Sequence, residues 1–533
     1  MTRNSDASTI ALDRESAPRR TVAVIDIGSA SIRMAIAQIS VDGDIQPIDS
    51  LQRSVFLGKE TFTIGRIQQS TIEECVDVLI SFRRVMLEYG IEDLSNIRAV
   101  ATSAVREAIN CDQFLDRIYS ATRIIVDAID EAEVNQLTYL MALPVVRRIP
   151  NLWDHATLIT EIGGGSTELL LMEAGVVTFS DTYRLGSLRM REMLESSRAP
   201  AHRIKNVMQS HIQRTLDQIQ HAIPETKGIN MLVLGGDARF AAGRLRSDWN
   251  MADPISISVS KLSNLTDDIL SHTVDELVQR FHVSFSEAES MGPALLSIVM
   301  LSRMLKLENI VVAGMTLRDG LLVEMAAQGS WTVDFRQQIV QSAIDLGHKF
   351  HFDENHARHV AELCRDMFLS LSDLHKLEPR YELLLYISAL LHEIGLVIST
   401  RSHHKHSMYL IRYSDLFGLG NRDQILISLV ARYHRRATPR PTHEEYASLS
   451  RESRILVSKL AALLRLADAL DRAHSQRIRK VSYAVKRRQL LVTTSEVDDV
   501  TLERLALKEK GGLFAQIYGL SIELSARQGK AGE

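Results

Sequence analysis

ATLITEIGGGSTELLLM, residues 156–172, is the stretch on which the fold turns. Ala156–Ile162 is an apolar, β-branched run of strand length, and it meets a turn of glycines and hydroxyls, Gly163-Gly164-Gly165-Ser166-Thr167-Glu168, before the apolar run Leu169–Met172. An acid, Glu161, stands at the end of the first run. The same order occurs earlier, where TVAVIDI (21–27) carries Asp26 into Gly28-Ser29-Ala30-Ser31. A crude repeat of strand, acid, small-residue turn and strand therefore opens each of two halves. Two further junctions have this form: Leu232–Leu234 into Gly235-Gly236-Asp237, and Ile310–Val312 into the turn that begins at Gly314. Four strand-to-turn junctions predict a mixed α/β core rather than a helical bundle.

Between the repeats, helical patterns cover 70–90 and 110–122, followed by a mixed segment at 123–145. Past residue 331 the period becomes helical as far as 478. Residues 479–533 show apolar alternation around Val481–Val485, Gln489–Thr493 and Phe514–Leu524, with a helix-like stretch near 500–510, which predicts a small α+β appendage. At 533 residues, 45% hydrophobic and 24% charged, the chain calls for several domains. Three cysteines without a CxxC spacing argue against disulfides and thiolate metal sites and for a reducing cytoplasm. Residues 1–19 lack the apolar core of a signal peptide and are expected to be a disordered tail, and no stretch has the length of a membrane span. A net charge of −4 gives no global attraction to polyanions, so neither a specific nucleic-acid partner nor a membrane is expected. Two local runs are basic, with eight Lys or Arg against two Asp in 401–440 and seven with no acid in 472–488.

Backbone amides of glycine turns can converge on phosphate oxygens, and the hydroxyls of Ser29, Ser31, Ser166 and Thr167 can add donors. Asp26 and Glu161, at the strand ends, stand where a divalent cation would bridge protein and phosphate. The phosphate-binding set is thus Gly28, Ser29, Ser31, Gly163, Gly164, Gly165, Ser166 and Thr167.

DIGSAS (26–31), ATSAVREAINCDQFL (101–115), EIGGGSTE (161–168), RLGSLRM (184–190) and LRDGLL (317–322) resemble, in order and spacing, the motifs of the exopolyphosphatase and guanosine pentaphosphate phosphatase (Ppx/GppA) family. LLHEIGLVIS (390–399), HKHSMYLIRYSD (404–415), VARYHRRA (430–437) and LLRLADALDRAH (463–474) resemble the HD-type domain of its longer members. The resemblance implies an actin-like fold of the acetate kinase, Hsp70 and actin type, with lobes at 20–142 and 143–330. An all-α HD-like domain at 331–478 and the appendage at 479–533 would follow. It implies magnesium, a homodimer, and hydrolysis of the terminal phosphoanhydride of inorganic polyphosphate or of guanosine pentaphosphate. Arg106 matches the family arginine that holds phosphate, and Glu168 the second acid of the glycine turn, a metal contact beside Asp26 and Glu161.

The chain departs from the family at three positions: Ala30 replaces an asparagine, Glu161 an aspartate, and Val134 falls on the glutamate that activates water. The catalytic set is therefore Glu133, Arg106 and Glu168, with Glu131 as the other acid able to replace the missing base. The alternative is a catalytically weakened regulatory protein that binds polyphosphate or guanosine alarmones. A sugar or acid kinase on the same fold is a further reading. In the helical region His356, the pair His392-Glu393 and Asp468 have the spacing of an HD metal site, with Glu in place of Asp, although in this family that domain often serves as a substrate-binding and dimerisation body. Arg432, Arg435 and Arg436 are read as part of a track for a long polyanion.

Overall fold

The structure, a computed structural model, describes residues 19–526 apart from 198–202, 227, 328–330, 436, 496 and 498. The tail expected over 1–19 lies outside the described residues up to 18, and Arg19 already belongs to a strand. The chain divides into two compact units, Met1–Gly329 and Ser330–Glu533.

The first unit is built on one plan used twice. Strands β1 (Arg19–Ile27), β2 (Ser31–Ser40), β3 (Ile45–Ser54), β4 (Ile97–Ala101) and β5 (Val126–Ala128) form a sheet of order β3-β2-β1-β4-β5. Strands β6 (Ala156–Ile162), β7 (Thr167–Glu173), β8 (Val176–Tyr183), β9 (Ile229–Leu234), β10 (Ile255–Ser258) and β11 (Asn309–Val312) form a second, of order β10-β11-β9-β6-β7-β8. In each, an antiparallel three-strand meander leads into strands parallel to the first, and in the second sheet β10 adds an edge strand antiparallel to β11. This duplicated topology is the actin-like arrangement. β1 and β6 lie inside their sheets and read as nearly unbroken apolar runs because both faces are covered. β3, at an edge, is polar and carries Pro47, whose missing N–H costs least there.

Helices cover the sheets. Gln69–Glu88 and Cys111–Thr122 bury Ile72, Leu79, Phe82 and Phe114 in one core with Ala23, Ile25 and Ile27 of β1. Ile204–Ala222 and Phe285–Met304 present Ile212, Leu216 and Leu295 to Leu158 and Leu169. The mixed segment at 123–145 is β5 followed by one long helix, Glu131–Arg148. Residues along nearly the whole of that helix are buried, so it shows no apolar stripe of helical period.

In the second unit, helices Val333–Lys349, Glu354–Ser370, Tyr381–Leu391, His403–Arg412, Asn421–Arg432 and Arg451–Leu470 precede a three-stranded sheet. Its strands are β12 (Val481–Lys486), β13 (Gln489–Thr494) and β14 (Ser521–Ala526). The alternation expected across Phe514–Leu524 holds only for its end. Gly512–Tyr518 is helical, Gly519 stops it in the left-handed region at φ 69°, and β14 follows. Among the described residues, no helix is long and apolar enough to cross a membrane.

Candidate active site

The repeated plan brings two equivalent hairpin turns to one cleft. β1 and β2 are joined by Gly28–Ala30, β6 and β7 by Gly163–Ser166, and the turns close alike: Gly28 N–H donates to Ser31 O at 3.0 Å, and Gly163 N–H to Ser166 O at 2.9 Å. They approach so closely that a Cβ on Gly164 would lie 3.1 Å from Ser29 Cβ, and one on Gly165 only 2.1 Å from Ser103 Oγ. Glycine is needed here for close approach rather than for an unusual φ. Between the turns is a cavity of about 360 Å³, which both turns line together with Thr102, Ser103 and Arg106. Helices Gly236–Leu245 and Leu317–Ala326 also begin at its wall, which places the positive ends of their dipoles there.

Strand register then fixes the charges. In the first hairpin Asp26 pairs with Arg33, whose Nη1 is 3.6 Å from Asp26 Oδ2. In the second, the equivalent positions are Glu161 and Glu168, directly opposite each other. Cross-strand partners share a face at close range, so two carboxylates there repel. Burial, and then Glu161, push the Glu168 carboxyl up to about 8, although the Ser166 hydroxyl donates to its Oε1 at 2.5 Å and Arg106 stands nearby. Burial raises Glu161 too, against the pull of Arg239. Asp237 of the third glycine turn is pushed up to about 6 by burial, with Ser290 Oγ donating to it at 3.0 Å.

Four arginines, Arg33, Arg106, Arg239 and Arg318, line the same cavity. Arg106 is held by its Nη1, which donates to Ile129 O at 2.8 Å. Arg239 donates to Met315 O at 3.1 Å, and burial lowers the pKa of both Arg239 and Arg318. Arg189 braces the second turn. Its Nε donates to Gly165 O at 2.8 Å, its Nη2 to Glu107 Oε1 at 2.6 Å, and its guanidinium lies 4.1 Å from the centre of the Phe62 ring.

The cavity thus gathers Asp26, Gly28, Ser29, Ser31, Arg106, Glu161, Gly163, Gly164, Gly165, Ser166 and Glu168 of the expected set. Thr167 is not in its wall, because its hydroxyl donates to Leu185 O at 2.5 Å and fastens the strand. Glu133 is not there either. Its Oε2 accepts from Asp130 N–H at 3.0 Å, while Asp130 Oδ1 accepts from Glu133 N–H at 3.0 Å, a reciprocal cap on the helix Glu131–Arg148. Val134 lines the cavity instead. Glu131 is more exposed, with Oε1 3.8 Å from Arg106 Nη2. Arg33, Asp237, Arg239, Glu287 and Arg318 are charged wall residues outside the set expected from the sequence. Counting the hairpin register outward from the turn would have found Arg33. In the helical unit Arg432 Nη1 lies 3.3 Å from Glu445 Oε2, and Arg436 lies outside the described residues.

Comparison with known proteins gives a consistent picture. The model of the Ppx/GppA phosphatase family matches residues 35–328, and that of Ppx/GppA phosphatase domain III matches 336–510. A guanosine-5'-triphosphate,3'-diphosphate pyrophosphatase of Photobacterium profundum is 24% identical over 469 residues, covering 85% of this chain and 88% of that protein. Its counterpart in Vibrio cholerae is 25% identical over 451 residues, covering 83% and 86%. Among solved structures, an exopolyphosphatase from Cytophaga hutchinsonii superposes with a TM-score of 0.51 at 21% identity over 58% of this chain and 98% of its own. An exopolyphosphatase-like protein gives 0.51 at 23% over the same shares. Both likenesses concern the fold.

Two outcomes follow from the geometry. A Cβ on Gly186 would lie 2.3 Å from Gly164 O, so Gly186→Ala displaces the second turn. It is expected to lower stability by about 1–3 kcal/mol in thermal melts and to weaken phosphate binding more than tenfold. The second concerns pH. Glu168 titrates near 8 when folded against 4.5 otherwise, so the folded chain holds a proton that the unfolded chain has lost between those values. Without divalent cation, denaturant titrations should show stability falling as pH rises across that window, and Glu168→Gln should flatten the slope.

Proposed function

The chain belongs to the Ppx/GppA phosphatase family and is a phosphoanhydride hydrolase, and we propose that it removes the terminal phosphoryl group of guanosine pentaphosphate, with inorganic polyphosphate as a second substrate. One observation carries the proposal: two identically closed hairpin turns meet across a cavity in which Glu161 faces Glu168.

A buried pair of carboxylates with raised pKa is an all-oxygen donor set suited to a hard divalent cation. Asp26, Glu161 and Glu168 would hold magnesium, which when bound neutralises charge on the phosphoryl oxygens. The chain's own groups do the rest. Amides of Gly28 and Gly163–Gly165, with Ser29 and Ser31, orient the terminal phosphate, and the Arg106 fork bonds its oxygens as charge develops during in-line attack by water. Arg33, Arg239 and Arg318 add positive charge for the bridging and departing oxygens. Assembly as a homodimer in the cytoplasm belongs to the same proposal and is supported by the family resemblance.

Water activation is the weak step. Val134 offers no proton acceptor, and Glu133 is engaged in its cap. Glu131, beside Arg106, is the acid best placed to assist, and turnover is slow in consequence. Nothing in the comparisons favours a regulator without turnover. Phosphate release from both substrates with magnesium tests the assignment, and its absence from both, with binding intact, would remove it. A positioned base contributes roughly 10²- to 10⁴-fold. Val134→Glu should therefore raise kcat about a hundredfold with little change in KM, whereas Glu131→Gln should lower the residual rate. An unchanged kcat in Val134→Glu would show that the missing carboxylate is not what limits the reaction.

A further inference from the structure

The helical unit contains a second buried cluster of donors. His356, His392 and Asp468 are 1%, 0% and 3% exposed and, with one ligand atom each, lie within 4.8 Å of one another; Glu393, His403 and His434 make a second such group, and His356, Glu393 and the more exposed His474 a third. In every histidine one ring nitrogen is already engaged. Nδ1 of His392 donates to Ala389 O at 2.7 Å, that of His434 to Ala431 O at 2.6 Å, and that of His403 to Thr400 O at 3.3 Å. His356 Nδ1 bonds Asp471 Oδ2 at 2.8 Å, and His474 Nδ1 bonds Asp353 Oδ2 at 3.2 Å. Since a carbonyl or carboxylate accepts in each case, the proton sits on Nδ1 and the Nε2 lone pair points into the cluster.

At the centre of the cluster some of these atoms lack partners. His356 Nε2, His392 Nε2 and Glu393 Oε2 are buried without a hydrogen bond, and His403 Nε2 faces His434 Nε2 at 3.2 Å, lone pair against lone pair in the neutral tautomers. Buried polar atoms left unpaired are costly, and five imidazoles each oriented by an outer acceptor is the arrangement found around bound metals. Glu393 lies between the groups, with Oε2 3.9 Å from Nε2 of both His356 and His474, and Oε1 4.0 Å from His403 Nε2. An ion with ligand bonds of about 2.1 Å spans such gaps, and the 3.2 Å separation is close to a tetrahedral edge of those bonds.

We propose that the helical unit binds divalent transition-metal ions of the zinc, iron(II) and manganese class in a dinuclear centre, one ion on His356, His392 and Asp468, the other on His403 and His434, with Glu393 bridging. Imidazole-rich donor sets with carboxylates select these ions over magnesium. Lys510 pairs with Asp468 Oδ2, so Asp468 offers its other oxygen, and the ammonium opposes the ion's charge.

Cobalt(II) absorption of the full-length, untagged, chelator-stripped chain tests the proposal, because nitrogen-rich sites of low coordination absorb strongly and an all-oxygen site does not. Up to two equivalents with strong visible bands are expected, unchanged in Glu168→Gln. The double variant His392→Gln/His434→Gln should lose the bands while keeping its far-ultraviolet dichroism. If it does not fold, Glu393→Gln should weaken binding at least tenfold and Lys510→Met should strengthen it. No bands in the parent chain, bands that persist in the folded double variant, or affinities untouched by Glu393→Gln and Lys510→Met would overturn the proposal.

Discussion

Two carboxylates facing each other across an antiparallel ladder set the terms for the first unit. Glu161 and Glu168 occupy the positions that Asp26 and Arg33 occupy in the other hairpin, so the same backbone plan carries a neutralised pair on one side and a repelling pair on the other. The repelling pair is buried beside a glycine turn, and the Ser166 hydroxyl, Arg106 and Arg239 offset the repulsion only in part, so a proton or a bound cation relieves it further. Around it the arrangement is cationic: four arginines line the wall and two helices begin there. Acids for a cation and donors for oxyanions, interleaved in one cavity, suit a metal-bridged phosphate better than either charge alone.

The parts of the fold with a plain local signal were legible. ATLITEI forms a strand with the bounds read from it, and the repeated strand, acid and turn correspond to two equivalent hairpins. Pairing and packing hid the rest. Arg33 enters the cavity because it stands opposite Asp26, which is a property of register. The helix Glu131–Arg148 is buried along nearly all its length, so burial erased the period that would have announced it.

Local capping chemistry explains the largest correction. Asp130 and Glu133 have the D-x-x-E spacing of a reciprocal helix cap, a signal readable in the sequence, and that cap removes Glu133 from the cleft. One residue further on, the side chain that does face the cavity is valine. The chain therefore keeps, in one cavity, most of the groups that the family resemblance assigns to phosphate, and has valine where that resemblance expects the residue that activates water. In the helical unit the spacing of His356, His392-Glu393 and Asp468 was visible, but the facing of His403 and His434 depends on how the ends of separate helices meet.

The central claim is that Glu161 and Glu168 hold the cation that joins protein to phosphate. Its most direct test is a crystal structure with manganese and a non-hydrolysable pentaphosphate analogue, the ion located by its anomalous scattering. The account predicts a manganese peak in the first unit's cleft within bonding distance of carboxylate oxygens of both glutamates and of a terminal phosphate oxygen. A terminal phosphate bound by the two turns while the glutamates bear no ion would contradict it.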